Sequence, residues 1–176
     1  MTKIPLLVAA AAFGAFAISA TAQSGAQSGQ VDVRAAMQQG INPAMLAVWD
    51  VSNNAMNDEG ALDPASMDAT KWASIAASAE QLAATGRAME SGESFIAAAA
   101  GNTEVGEGEI SMEAVQKYLA ADPETFRLLA GQFAEHADKI VAAARAQDAA
   151  TAGALIAEMD AVCESCHAQF WYPEEG

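Results

Sequence analysis

The fold is decided by residues 122–171, which read DPETFRLLAGQFAEHADKIVAAARAQDAATAGALIAEMDAVCESCHAQFW. Asp122 followed by Pro123 predicts a helix start, because aspartate caps a first turn and proline fits the first helical position. Apolar residues then recur at helical spacing as far as Ala146. Asp148 predicts the cap of a further helix, whose broad apolar face continues to the end of the stretch. Two successive amphipathic helices with a very short connection are therefore expected.

Hydrophobic periodicity upstream predicts two more long helices. The first spans about residues 31–56, with a kink where Pro43 removes a backbone donor and pushes Asn42 away from helical geometry. The second follows Asp63 or Asp68 and ends at a Ser-Gly pair. Its apolar stripe comprises Trp72, Ile75, Ala76, Ala79, Leu82, Ala83, Gly86 and Met89.

Residues 93–109 contain several glycines and are predicted to be irregular. A short helix is expected from Ser111. Its inward side chains are predicted to be Met112, Val115, Tyr118 and Leu119. Runs of strand-forming residues are nearly absent, so the fold class is all-α. Four long amphipathic segments predict an antiparallel four-helix bundle that occupies residues 31–176.

The N-terminal residues 1–22 predict a secretory signal peptide. Lys3 supplies a positive start, residues 4–20 are an apolar run, and an Ala-Thr-Ala sequence ending at Ala22 offers a cleavage site. A membrane anchor is the alternative, because the run is at the lower limit for a spanning helix. Residues 23–30 are rich in Ser, Gly and Gln and predict a flexible N-terminus of the mature chain.

The charge is strongly acidic, with 8 basic and 23 acidic residues. Removal of Lys3 with the signal leaves a formal net charge of 7 − 23 = −16. This excludes nucleic acid as a partner, because phosphate binding requires Lys and Arg. The acidity indicates either a solvated surface or steering toward a basic partner protein.

One short motif, Cys163-Glu164-Ser165-Cys166-His167, has the C-x-x-C-H pattern of c-type haem attachment. Thiols at this spacing lie about one helical turn apart, so they can bond the two vinyl groups of one haem as thioethers. His167 then lies where an imidazole nitrogen can bind the iron from the same side. The motif predicts one covalently attached haem c.

Other uses of a C-x-x-C pair are a disulfide, a thioredoxin-like redox pair and half of a zinc site. Zinc needs about four ligands, and only His136 and His167 could join the two cysteines. A thioredoxin-like pair would open a helix after a strand, whereas this pair ends a helical segment. A secreted pair would otherwise oxidise to a disulfide. Gram-negative bacteria attach c-type haem in the periplasm, so the signal and the motif together predict a periplasmic protein.

A four-helix bundle with C-x-x-C-H at its extreme C-terminus resembles the class II c-type cytochromes, that is, the cytochrome c-prime group and its low-spin relatives. The resemblance covers essentially the whole mature chain. It implies a haem held by Cys163 and Cys166, ligated by His167 and packed against the first helix. The Tyr172-Pro173 ending departs from the basic tail common in cytochromes c-prime, which favours a divergent branch.

The resemblance leaves the group opposite His167 open. Cytochromes c-prime place an apolar side chain there and bind NO or CO, whereas the low-spin relatives use a first-helix methionine and carry electrons. The family's first helix often has an arginine one turn before the residue that faces the iron, and here Arg34 precedes Met37. Met37 is therefore the candidate sixth ligand, with Arg34 near a propionate or the haem edge. A one-residue shift would place Gln38 there, and Met45 is a second candidate.

The alternative for either methionine is core filling, since the chain contains eight methionines. His136 is a weaker ligand candidate and is expected on the surface. Trp171 and Tyr172 are expected to cover the haem edge or its proximal side. Trp49 and Trp72 are expected to pack in the core.

The predicted function is that of a periplasmic monohaem cytochrome that carries single electrons. A five-coordinate NO- or CO-binding protein is the alternative. An enzyme is not expected, because the sequence shows no acid–base pair and no second metal cluster. The expected partner is a redox protein with a basic docking surface, and a homodimer is a further possibility.

Overall fold

The computed structural model describes residues 29–106 and 108–171. The predicted signal peptide, residues 1–22, and most of the predicted flexible segment 23–30 lie outside the described residues, although Gln30 opens the first strand. The described elements, in chain order, are β1 (Gln30–Asp32), α1 (Val33–Ala36), a π-helical turn (Met37–Ile41), α2 (Asn42–Asn53), a 3-10 turn (Pro64–Ser66), α3 (Ala69–Glu90), β2 (Ser94–Ile96), α4 (Met112–Ala121), α5 (Pro123–Ala146) and α6 (Ala149–Phe170). Helices predominate, which confirms the predicted all-α class.

Four polar side chains begin the helices as the sequence predicts. Asp68, Ser111, Asp122 and Asp148 each accept a hydrogen bond from the backbone N–H three residues further on, at 2.9–3.2 Å. Each bond satisfies one of the backbone donors left unpaired in a first helical turn. A cap of this kind contributes about 1 kcal/mol.

The long helices pack through small and apolar side chains. The most extensive interface lies between α3 and α5; α5 also packs against α6, and α2 contacts both α3 and α6. All eight residues of the predicted α3 stripe are buried, which confirms that prediction. Gly86 lets α5 approach, since an added Cβ there would lie 2.9 Å from the ring of Phe133.

One inward position of α4 is predicted wrongly. Met112, Val115 and Leu119 are buried, but Tyr118 is 41% exposed. The first three share one face at helical spacing, and Tyr118 lies on the flank of that face. A short helix packed along one side leaves its flank in water.

The first helical segment contains a π-helical turn where the sequence predicts a kink. Asn42 keeps helical geometry, with φ −57° and ψ −49°, and its N–H bonds to the carbonyl oxygen of Met37. The expectation that Pro43 drives Asn42 out of helical geometry is therefore wrong. The wider turn takes up the strain, and the side-chain amide of Gln81 donates to the nearby carbonyl oxygen of Gly40 at 3.1 Å.

A small parallel sheet corrects the prediction for residues 93–109. Strand β1 pairs with β2, with Val31 opposite Phe95. The ring of Phe95 is buried at 8% exposure and stacks edge-on against Phe126, with centroids 4.6 Å apart. Strands this short depend on contacts between distant parts of the chain, so hydrophobic periodicity does not detect them.

Candidate functional site

The last turns of α6 place the C-x-x-C-H side chains along a cavity of about 240 Å³. Cys163, Cys166 and His167 are all partly buried and all line it. The two cysteines are not joined in a disulfide. The spacing predicted from the sequence thus brings two sulfur atoms and one imidazole to a single cavity.

The remaining walls are mostly apolar and come from six parts of the chain. The lining residues besides the motif are Val33, Arg34, Met37, Gln38, Ile41, Asn42, Met89, Glu109, Val115, Leu119, Phe126, Leu129, Ala130, Phe133, Val162, Phe170 and Trp171. Phe126 and Phe170 stack edge-on with centroids 5.4 Å apart, which gives one wall a rigid aromatic surface. Such walls exclude water and suit a large flat apolar group.

The first helical segment forms one wall of the cavity through Arg34, Met37 and Gln38. Met37 is partly buried, and Gln38 is exposed, with its amide oxygen accepting from Asn102 at 2.9 Å. Met45 is 3% exposed and does not line this cavity. Of the two candidate methionines, Met37 lines this cavity together with His167, and Met45 does not.

A second, wider depression of about 450 Å³ lies between α2 and α6, and we name it the α2–α6 groove. It is lined by Met37, Ile41, Asn42, Met45, Leu46, Trp49, Asp160, Cys163, Glu164 and His167. Cys163 and His167 line both the cavity and the groove. They form part of the wall between them.

Burial controls the protonation of the motif side chains. Desolvation raises the pKa of Cys163 to about 11, and the negative charge of Asp160 adds to that shift. Desolvation also raises the pKa of Cys166 to about 11, with a further contribution from Cys163. Both sulfurs are therefore protonated thiols at neutral pH, and burial protects them from ready ionisation.

The pKa of His167 is shifted in the opposite direction. Desolvation lowers it, and the nearby carboxylate of Glu164 opposes this shift in part. Neutral imidazole is the form that binds a metal ion. The environment of His167 therefore favours the ligating form.

Arg34 occupies the edge of the cavity, where it binds the following loop. One guanidinium nitrogen donates to the backbone carbonyl of Glu104, and another lies 3.8 Å from the carboxylate of Glu109. The loop is tied to the same region by the backbone N–H of Ala99, which donates to Asp32 at 2.8 Å. The contribution of Glu109 to the cavity has no counterpart in the sequence prediction, because it depends on how this irregular loop folds back.

His136 lies in the interior, which corrects the expected surface position. It is 8% exposed, and Nε2 donates to the carbonyl oxygen of Leu155 over 2.7 Å. It does not line the cavity. His136 lies on the side of α5 that packs against α6, so its side chain is buried and joins the two helices.

Of the three tryptophans, one is buried in the core, one lines the α2–α6 groove and one lines the cavity. Trp72 is buried as predicted, whereas Trp49 is only partly buried and lines the α2–α6 groove. Trp171 lines the cavity beside the motif. Tyr172 lies outside the described residues.

The described residues contain no group of three or more His, Cys, Asp or Glu side chains arranged to hold a metal ion. Nor does this part of the chain contain a helix long and apolar enough to cross a membrane.

The donor set fits a covalently attached haem. Two protonated thiols and a neutral imidazole from one helix face a cavity whose other walls are largely apolar. The fold and this donor set define a c-type haem protein.

A family model described as Cytochrome C' matches residues 30–171, and the chain therefore belongs to the cytochrome c' family. Proteins of this family bind covalently attached haem c, which is the cofactor of this chain. No significant match was found among curated proteins or among solved structures.

Proposed function

We propose that this cytochrome is a periplasmic single-electron carrier whose haem iron is ligated by His167 and Met37, and that it is not an enzyme. One observation carries the proposal. Met37, from the first helical segment, and His167, from the last helix, line the same cavity. A haem held by the motif in that cavity would have the thioether of Met37 available as a ligand.

The cysteines provide the covalent attachment. The S–H of Cys163 and the S–H of Cys166 would each add across one vinyl group, so that a C–S bond forms and the hydrogen goes to the other vinyl carbon. Their buried, protonated state supplies the hydrogen that this addition needs. When bound, the haem supplies an iron that changes its oxidation state by one electron.

Three side chains compete for the sixth position, and their surroundings favour Met37. The amide oxygen of Gln38 already accepts from Asn102. Met45 is fully packed and reaches only the groove. A thioether opposite an imidazole raises the reduction potential of a haem, and fixed ligation on both sides suits electron transfer.

The remaining wall residues control solvent and charge. Phe126, Phe133 and Phe170 keep water from one side of the cavity. Arg34, whose side chain is only 12% exposed, is placed to pair with a propionate at the cavity edge. The packing of α3 on α5, of α5 on α6, and of α2 on both α3 and α6 supports an antiparallel four-helix bundle, in which the motif on α6 would hold the haem.

A five-coordinate protein that binds NO or CO is the second candidate. Val33 and Ile41 come from the same helical segment as Met37 and line the same cavity. If one of these apolar side chains faced the iron, the sixth position would stay open to a diatomic gas.

The visible spectrum tests the proposal. The chain should be produced with its leader in a bacterium that matures c-type cytochromes, recovered from the periplasm, and stained for haem on a denaturing gel. We expect a low-spin ferrous spectrum that CO leaves unchanged. A high-spin spectrum that shifts with CO would establish the second candidate instead.

Matched methionine variants test the ligand. Met37→Leu should give a high-spin, CO-sensitive protein, whereas Met45→Leu, a volume-conserving change outside the cavity, should keep the low-spin spectrum. A low-spin Met37→Leu protein would exclude Met37 as the ligand.

A further inference from the structure

We propose that the α2–α6 groove is the docking surface for a redox partner protein with a basic contact face. The inference rests on the proposed electron-carrier function and assigns a partner to the same site. The transfer moves one electron from this chain to the oxidised partner, without moving an atom or a proton.

The groove reaches the attachment residues from outside. Cys163 and His167 line it as well as the cavity. A protein seated in the groove would therefore rest against side chains that themselves hold the haem. Electron transfer needs close approach, and this face provides it without opening the cavity.

The centre of the groove is apolar and open to solvent. Leu46 is 62% exposed, more than any other large hydrophobic side chain of the described residues. Trp49 lies beside it and is partly buried. An exposed apolar patch next to aromatic surface is typical of a protein contact with a desolvated centre.

The charge around this centre has a single sign. Asp160 and Glu164 line the groove and are exposed, and Asp50 is exposed on α2. The segments Met37–Ile41, Asn42–Asn53 and Ala149–Phe170 contain no Lys and no Arg. An apolar patch with only acidic neighbours is complementary to a face that carries Lys or Arg.

Three of the described cations are already paired with acidic side chains outside the groove. Arg87 and Arg145 are paired with acidic side chains of other helices at 2.7 and 2.8 Å, and Lys117 is paired within α4 at 3.0 Å. The same acidity disfavours a second copy as the occupant, because two such faces would repel each other.

Electron-transfer kinetics with a basic mitochondrial-type cytochrome c as the acceptor test the inference. The ferrous holoprotein is mixed with the ferric probe at several ionic strengths, and the second-order rate constant is measured. We expect the rate to fall steeply with added salt. Asp160→Lys should lower it about tenfold at low ionic strength, as expected for loss of electrostatic steering.

The matched control is Glu158→Lys, which makes the same charge change on the same helix outside the groove. It should alter the rate less than about twofold. Leu46→Ser should lower the rate without changing its salt dependence. Equal losses in the two lysine variants, or no loss in either, would overturn the docking site. A dimer that Leu46→Ser dissociates in sedimentation would also overturn it, because the groove would then hold a second copy.

A neutral cobalt(III) complex separates this inference from the proposed function. Its reduction does not depend on a protein docking face. If the ferrous protein reduces the complex but the groove variants behave like wild type toward the probe, only the docking site fails. If the ferrous protein binds CO and does not reduce the complex, the electron-carrier function fails as well.

Discussion

The imidazole of His136 on α5 bonds directly to the backbone of α6, with Nε2 2.7 Å from the carbonyl oxygen of Leu155. Both helices line the cavity beside the C-x-x-C-H motif. The bond lies in the interior, where His136 is 8% exposed, so water cannot replace it easily. It fixes α6 against α5 on the N-terminal side of the attachment motif.

Replacing His136 tests this link. His136→Ala should lower the free energy of unfolding by about 2–4 kcal/mol, because it removes the bond and leaves a cavity between the two helices. Denaturant unfolding of the holoprotein measures the loss. Glu135→Ala, at the exposed neighbouring position, is the control and should change stability by less than about 0.5 kcal/mol. Equal stabilities in the two variants would show that the bond contributes nothing.

Two glycines on the facing helices should respond oppositely to alanine. An added Cβ at Gly86 would meet the Phe133 ring at 2.9 Å and the Ala130 carbonyl oxygen at 3.1 Å, neither of which can move freely. Gly86→Ala should therefore destabilise by about 1–3 kcal/mol despite the better helix propensity of alanine.

The matched change is Gly131→Ala, where the nearest atoms belong to the flexible end of Glu90. That variant should be neutral or up to about 1 kcal/mol more stable. Thermal unfolding of both proteins checks the pair. A stabilised Gly86→Ala protein would mean that α3 and α5 are not packed as closely as described.

The close approach of the π-helical turn to α3 allows a rescue experiment. An added Cβ at Gly40 would lie 2.6 Å from Oγ1 and 2.8 Å from Cγ2 of Thr85. Gly40→Ala should destabilise by about 1–3 kcal/mol, and adding Thr85→Ala should recover most of that loss. A double-mutant cycle measured by denaturant unfolding gives the coupling, and additive effects would contradict the contact.

The cap of α6 should make stability depend on pH. Hydrogen bonds from the Thr151 hydroxyl, then from the Thr151 backbone N–H, hold the pKa of Asp148 below its ordinary value of 3.8. A lowered folded-state pKa stabilises the fold above the ordinary pKa, and this contribution is lost as pH falls through the folded-state pKa.

Asp148→Ser keeps a capping oxygen but removes the titrating carboxylate. Its free energy of unfolding should fall less steeply than that of wild type between about pH 5 and pH 3. Asp58→Ser, at an exposed loop position, should retain the wild-type slope. Parallel curves for wild type and Asp148→Ser would exclude a role for this carboxylate.

Local signals were enough to predict the helices and the grouping of Cys163, Cys166 and His167, which line one cavity. The caps at Asp122 and Asp148 and the α3 stripe depend on residues close together in sequence, so periodicity and capping preference reveal them. The strand pairing of Val31 with Phe95 and the burial of His136 depend on which distant segments meet. No local pattern contains that information.

The π-helical turn at Met37–Ile41 has a consequence for how related sequences can diverge. Such a turn holds one residue more than a regular helical turn. Deleting Gln39 would restore ordinary α-helical winding, and because the wide turn accommodates the extra residue, the residues on either side would keep their faces. A single codon lost there would therefore change which side chains of the turn line the cavity, while the helices on either side keep their relative orientation.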